Sequence, residues 1–93
     1  MTAVLGIVTG LAAEAALLRA AGITVPIRCG GSSTERARIA ARQLVAEGAT
    51  ALLSFGVAGS LVSIVQPGQI VLADEVVLPV GRRLACCGVR SRR

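Results

Sequence analysis

The sequence predicts an α/β fold in which a mainly parallel sheet lies between helices, an incomplete three-layer sandwich. Short β-prone runs alternate along the chain with Ala- and Leu-rich runs of helical period. The β-prone runs are continuously apolar, as in strands that are buried on both faces, and 54% of the residues are apolar. The links between the runs are short, which favours right-handed crossovers between parallel strands.

The first two elements are a strand over residues 4–8 and a helix over residues 11–21. Gly10 separates them, and Gly22 is placed to close the helix as the residue after its C-cap. Residues 23–29 then form a second strand. Pro26 within that strand has no N–H to donate, so we expect it at an edge or at the strand start.

A second helix follows the glycines of CGGSS. Ser32 and Glu35 form the S-x-x-E pattern of a capping box, and the helix is expected to run to about Glu47, where Gly48 stops it. An apolar face and a polar face are both predicted for it. The apolar face comprises Ala37, Ala40, Ala41, Leu44 and Val45, and the polar face comprises Glu35, Arg38, Arg42 and Gln43.

The rest of the chain continues with strands. Residues 49–55 are expected to form a buried strand, residues 56–60 a tight loop, and residues 69–78 a further strand after the Pro67-Gly68 turn. We expect residues 1–80 to form one partial domain and residues 81–93 to be an Arg-rich, disordered tail.

The net charge of +5 lies entirely in that tail. Five arginines and five acids cancel over residues 1–81, whereas residues 82–93 hold five arginines and no acid. Such a tail could bind phosphate or acidic lipid, or it could come from a shifted reading frame of a G+C-rich gene. Neither origin decides the function of the first eighty residues.

Composition argues against several other classes of protein. Phe55 is the one aromatic residue, so a base-stacking nucleic-acid surface is not expected. The sequence has three cysteines, two of them adjacent, which provide neither a disulfide framework nor the ligand spacing of a zinc site. It has no histidine, so a catalytic Cys/His or Ser/His pair is excluded. Reduced thiols in the cytoplasm are the default expectation.

A membrane span or a secretory signal is not expected. No charge occurs between Gly48 and Ala73, but glycines, Pro67 and two glutamines interrupt this window. The N-terminus lacks a basic region and carries an acid, Glu14, where a signal peptide is apolar.

Glu14 is the acid in the least expected position. On a helical wheel it falls between Leu17 and Leu18, and no basic residue lies three or four positions away. A buried, unpaired carboxylate is costly, so one interpretation is that a site uses it. The other is that the helix rolls and Glu14 reaches water, where its charge favours the positive helix N-terminus.

Ligands of parallel α/β sheets bind beyond the carboxyl ends of the strands. Three loops are expected there: Thr9-Gly10, residues 29–34 and residues 56–60. Backbone amides and hydroxyls of CGGSS, with Gly30, Gly31 and Ser32, could hold an anion at the start of the second helix. Alternatively these residues only turn the chain and cap the helix.

The order of these segments resembles the N-terminal half of the nucleoside phosphorylase superfamily, which includes purine nucleoside phosphorylases and methylthioadenosine/S-adenosylhomocysteine nucleosidases. The resemblance covers residues 4–78, in GIVTGLAAEAALL, CGG, ALLSFGVAGSL and PGQIVLADEVV. The Ala- and Arg-rich style is most similar to the phosphorylase associated with hopanoid biosynthesis.

The resemblance implies roles for single residues. Glu14 matches the last glutamate of the motif Gly-hydrophobic-hydrophobic-Gly-Ala-Met-Glu-Glu-Glu. In that family this glutamate positions the attacking water. A carboxylate in an apolar cleft is also expected to have a raised proton affinity. The loop Thr-Gly-Ser-Ala-Gly-Gly-Leu lines the ribose and nucleophile pocket in that family. The matching residues are Gly56, Val57, Ala58 and Gly59, and the residues of the other two loops that would contact substrate are Gly10, Gly30, Gly31 and Ser32.

Departures from the family pattern bear on the reaction. Ser54 and Val57 stand where the bacterial phosphorylases have a phosphate-binding arginine and a serine, so phosphate use is in doubt. The second loop glycine is Ser60, and Gln69 replaces an aspartate at the following strand.

We therefore expect the chain to be a fragment of an enzyme that cleaves an N-glycosidic bond by hydrolysis or glycosyl transfer. The expected substrate is a purine nucleoside or an adenosylated lipid precursor. The resemblance does not reach the family's base-binding loop or leaving-group acid, so we expect the chain alone to be inactive. The resemblance implies a nucleoside as ligand, with phosphate only if the reaction is phosphorolysis. It also implies a homo-oligomer as one option for the full-length form, and no metal or cofactor. The alternatives are a non-catalytic α/β module with an anion-binding tail, or a truncated product without a function of its own.

Overall fold

The computed structural model describes residues 3–61 and 63–86. The chain divides between Gly59 and Ser60 into two compact units. The first unit contains β1 (Leu5–Thr9), α1 (Ala12–Ala20), β2 (Ile27–Cys29), α2 (Thr34–Ala46) and β3 (Ala51–Phe55), and the second contains β4 (Glu75–Val77) and β5 (Arg83–Ala85).

The first unit is built on a parallel sheet with the strand order β2-β1-β3. Ile7 of the central strand is in register with Ile27 on one side and with Leu53 on the other. The prediction of an α/β fold with a mainly parallel sheet is confirmed at this level. The complete phosphorylase-like sandwich stays a prediction.

The two helices pack on opposite faces of β1. Ile7 lies in a buried cluster with Ala15 of α1 and Ile27 of β2. A Cβ added to the neighbouring Gly6 would lie 3.2 Å from side-chain atoms of Leu44 in α2. Because successive strand residues point to opposite faces, α1 covers one face of β1 and α2 covers the other.

Both helices end as the glycines predict. Gly22 has φ +86°, its N–H donates to the Arg19 carbonyl, and the Ile23 N–H donates to the Leu18 carbonyl. Gly48 has φ +109° and ends α2 in the same way, with its own N–H on the Val45 carbonyl. These are Schellman closures, in which glycine takes the left-handed backbone at no steric cost.

The start of α2 differs from the prediction by one residue. Ser33, not Ser32, is the N-cap, and its Oγ accepts a hydrogen bond from the Arg36 N–H at 3.2 Å. The Ser32–Glu35 capping box is therefore wrong, and Glu35 instead pairs with Arg38 at 2.9 Å. Of the predicted apolar face, Ala40 and Leu44 are buried, Ala37 and Ala41 are half-buried, and Val45 is exposed.

The prediction that β3 is a buried strand is wrong. Leu52 and Leu53 are 46% and 37% exposed. β3 lies at the edge of the three-stranded sheet, and both helices pack mainly on β1 and β2. β2 is also shorter than predicted and comprises only residues 27–29.

The second unit contains an antiparallel hairpin. Val76 pairs with Leu84, and the connecting turn includes Gly81, whose N–H donates to the Leu78 carbonyl. The strand predicted over residues 69–78 is confined to 75–77, because only that part has a partner strand. Residues 83–85 form β5, which differs from the disorder predicted for 81–93, and residues 87–93 of that predicted tail lie outside the described residues.

Neither helix in residues 3–61 and 63–86 combines the length and the apolar composition that crossing a membrane requires.

Candidate carboxylate site

Glu14 lies at the carboxyl end of the central strand. It is the third residue of α1, which begins three residues after β1 ends, and its side chain is only 5% exposed. Of the two interpretations of its wheel position, the structure agrees with burial, although Leu17 beside it is exposed. The carboxylate also lies at the helix N-terminus, the favourable location that the second interpretation named.

Three backbone N–H groups hold the carboxylate. Gly10 and Leu11 donate to Oε1 at 3.1 and 2.9 Å, and Val57 donates to Oε2 at 2.9 Å. The first two donors belong to the start of α1, whereas Val57 belongs to the loop after β3. Glu14 therefore joins two of the three loops predicted to meet at this edge of the sheet.

These bonds lower the pKa of Glu14 below its ordinary value of 4.5. The Val57 N–H has the largest effect, the Leu11 N–H follows, burial acts in the opposite direction, and the Gly10 N–H adds to the lowering. The expected raised proton affinity is wrong, because N–H donors favour the charged form more than burial disfavours it.

The loop between β2 and α2 lies against the first loop. The Gly30 N–H donates to the Thr9 carbonyl at 2.8 Å, and the Cys29 thiol donates to the Gly10 carbonyl with Sγ at 3.6 Å. The Gly31 carbonyl oxygen is 3.7 Å from the position a Cβ would take on Gly10. Gly10, Gly30 and Gly31 are thus neighbours at the carboxyl edge of the sheet.

The remaining predicted residues are less closely associated with Glu14. Gly56 lies against the carboxylate, and the Val57 side chain is 72% exposed while its N–H is bonded. None of the three hydrogen bonds to Glu14 comes from Ser32, Ala58 or Gly59, which are all exposed. The structure therefore brings Glu14 together with Gly10, Gly56 and Val57.

Sequence reasoning missed three contacts of the site, although it placed Thr9 and Cys29 in loops at this edge of the sheet. Thr9 is buried and its hydroxyl donates to the Leu11 carbonyl at 3.3 Å, Leu11 donates its N–H to Glu14, and Cys29 contacts the Gly10 carbonyl. The Leu11 contact had a local signal, because a glutamate three residues after an N-cap commonly accepts from the N-cap N–H. The Thr9 and Cys29 contacts had none.

The site contains no metal-binding cluster: across the described ranges, His, Cys, Asp and Glu side chains do not gather in groups of three or more. No family model matches the chain, and comparisons with curated proteins and with solved structures find no match. The class of site is therefore defined by its own geometry, as a buried, ionised carboxylate between two loops at the carboxyl edge of a parallel sheet.

Replacing Gly30 with alanine is expected to lower the free energy of unfolding by about 1–3 kcal/mol, the typical cost of overpacking. A Cβ at this position would lie 2.8 Å from the Ala37 Cα and 3.0 Å from its N, which are backbone atoms of α2 that cannot rotate away. Urea unfolding of the whole chain measures the change.

Gly59→Ala is the matched control for this substitution. A Cβ on Gly59 meets nothing within 4 Å, so its cost should stay within about 0.5 kcal/mol. Equal stability losses in the two variants would contradict the close packing of the β2–α2 turn on the helix.

Proposed function

We propose that the first unit forms the nucleophile-binding side of a site that cleaves the N-glycosidic bond of a purine nucleoside or a related adenosylated compound. The observation that carries this proposal is the Glu14 carboxylate, 5% exposed and fixed by N–H groups of two loops at the carboxyl edge of a parallel sheet. The resemblance to the nucleoside phosphorylase superfamily supports the choice of reaction, and the three-layer fold of that family belongs to the same proposal.

Glu14 would orient the attacking water by accepting a hydrogen bond from it. A carboxylate offers about four acceptor sites, and the three N–H donors leave capacity for one more. With its lowered pKa the carboxylate is a weak base. A weak base suffices here, because the water becomes acidic only as its oxygen bonds to the ribosyl carbon and the C–N bond breaks.

The fixed negative charge would also stabilise the transition state. Positive charge develops on the ribosyl carbon as the base departs, and an oriented carboxylate nearby lowers the energy of that state. The same charge disfavours a phosphate ion next to Glu14. Together with Ser54 and Val57 at the positions of the phosphate-binding arginine and serine, this favours water over phosphate as the nucleophile.

The other loops would contact the sugar. Gly10 and Gly31 would let a ligand approach the main chain closely, and Ser32 adds an exposed hydroxyl. Gly30 is buried against the Ala37 backbone, so its part would be to shape the turn and not to contact the ligand. Ala58 and Gly59 would contribute backbone groups from the loop after β3. The Val57 N–H would act on the ligand only through Glu14, since it is already bonded to that carboxylate.

We expect the 93-residue chain to bind a nucleoside without turning it over. Adenosine and methylthioadenosine are added to the ¹⁵N-labelled chain, with and without phosphate, while amide shifts and base release are followed. The amides of Gly10, Gly31 and Val57 should shift, and no base should be released above buffer.

Glu14→Gln is expected to weaken nucleoside binding about tenfold, the loss typical of one hydrogen bond to a charged group. Glu35→Gln, which removes an exposed acid from α2, is the control and should bind like the wild type. Binding that is equal in Glu14→Gln, or an absence of shifts at millimolar nucleoside, would refute the proposal. Turnover by the wild type would refute the expected inactivity.

A further inference from the structure

Gly56 lies directly against the Glu14 carboxylate. A Cβ built on Gly56 would be 3.0 Å from Oε2, 3.4 Å from Cδ and 3.5 Å from Oε1 of that side chain. All three atoms of the carboxyl group thus border the space that any other residue's side chain would enter.

The backbone at Gly56 does not itself require glycine. The glycines with positive φ are Gly22, Gly31, Gly48, Gly68 and Gly81, and Gly56 is not among them. The φ angle of Gly56 thus lies outside the left-handed region that favours glycine. What distinguishes glycine at this position is the space that it leaves.

We infer that Gly56 is a positioning residue, whose missing side chain lets the Glu14 carboxylate reach the Val57 N–H and fixes its orientation. The resemblance places Gly56 among the residues that line the ribose, and this inference gives it a different task. The positioning of Glu14 by Gly56 is argued from the contacts of these two residues alone. Only the consequence for catalysis rests on the proposed function.

A side chain at position 56 would move the carboxylate and leave the backbone in place. The atoms in conflict are the end of a flexible glutamate, unlike the backbone atoms that face Gly30. Oε1 would keep its two donors at the start of α1, whereas Oε2 would lose the Val57 N–H. Glu14 would then cap its own helix without tying it to the loop after β3.

No charged side chain among the described residues replaces that bond. The ion pairs in the described part of the chain are Arg28–Glu47, Arg38–Glu35 and Arg83–Glu75, and none involves Glu14. The other titratable groups near this edge are Cys29, whose thiol bonds to the Gly10 carbonyl, and Arg36, whose Nη1 is 4.0 Å from the Cβ position of Gly31. The ionised form of Glu14 therefore depends on backbone N–H groups.

The wild-type chain gives the first test. In an NMR pH titration, the Glu14 carboxyl carbon, the Val57 amide proton and the Gly56 Hα protons should share one midpoint below 4.5. If the Val57 and Gly56 signals do not follow the Glu14 carboxyl, the inference is overturned.

Gly56→Ala gives the second test, with Gly59→Ala as its control. The Glu14 midpoint should rise toward 4.5 in Gly56→Ala and stay at the wild-type value in Gly59→Ala. The midpoint is read from the signals of the folded state, because unfolded chain would titrate near the ordinary value of 4.5 whatever residue stands at position 56. An unchanged midpoint in Gly56→Ala would overturn the inference.

A double-mutant cycle decides the case in which Gly56→Ala is too unstable to titrate. In the Glu14→Ala background the carboxylate is gone, so Gly56→Ala should cost little additional stability there. An equal cost in both backgrounds overturns the inference. These measurements contain no nucleoside, so their outcome is independent of whether nucleosides bind.

Discussion

Replacing Leu44 with alanine is expected to lower the free energy of unfolding by about 2–5 kcal/mol, the usual range for a buried leucine. Leu44 is 1% exposed, and its side chain fills the space over Gly6 of the central strand. A small domain has only about 5–15 kcal/mol of net stability, so the variant should lose a large share of it. Chemical unfolding followed by circular dichroism measures the loss.

Val45→Ala is the control on the same helix. Val45 is 55% exposed, so its truncation should change stability by less than about 0.5 kcal/mol. A second check uses Gly6→Ala, whose methyl group would crowd Leu44 in the wild type and fit into the vacated space in Leu44→Ala. Additive effects of the two substitutions would contradict the contact between α2 and β1.

The second prediction concerns the pH dependence of stability and Glu14. Because the folded state lowers the pKa of Glu14 below 4.5, its ionised form stabilises the fold above pH 4.5, and this contribution is lost as the pH falls through the folded pKa. Glu14→Gln should therefore be less stable than the wild type at pH 7, and the difference should shrink toward pH 3. Unfolding free energies at fixed ionic strength across this range measure it.

Glu35→Gln corrects for the loss of one negative charge. Glu35 is exposed in the first turn of α2, and its ion pair with Arg38 contributes little to stability in water. The change seen in Glu35→Gln is therefore subtracted from the change seen in Glu14→Gln. If the remaining stability difference from wild type stays constant from pH 7 to pH 3, the N–H groups do not favour the charged carboxylate.

The elements that the sequence predicts best are those with local signals. Gly22 and Gly48 mark the ends of both helices, because the left-handed residue after a C-cap is most often glycine. The N-cap of α2 was predicted one residue too early, at Ser32, because the neighbouring serine can equally accept from a helical N–H. The structure identifies Ser33 by its extended backbone, with φ −106° and ψ 127°, and by the bond that its Oγ accepts from Arg36.

The features that the sequence misses depend on distant neighbours. The apolar run of β3 predicts burial, but strand exposure is set by what packs beside it, and β3 is an edge strand. Residues 69–78 likewise have strand propensity over ten residues, whereas a ladder forms only opposite the three residues of β5.

The candidate site shows the same limit. The structure buries Glu14, one of the two outcomes that its position on the helical wheel leaves open. The sign of its pKa shift depends on the N–H of Val57, 43 residues further along the chain. Spacing within α1 cannot reveal a donor that reaches the carboxylate only through the order of strands in the sheet.

That separation of 43 residues also fixes when the site can form during synthesis. Closing so long a loop costs entropy that only completed strand pairing offsets, so the contact belongs to the late steps of folding. On the ribosome, Oε1 of Glu14 can accept its two N–H bonds once α1 forms, whereas Oε2 lacks its donor until Val57, which follows β3, has left the exit tunnel. Assembly of the site thus reports that the sheet of the first unit is complete.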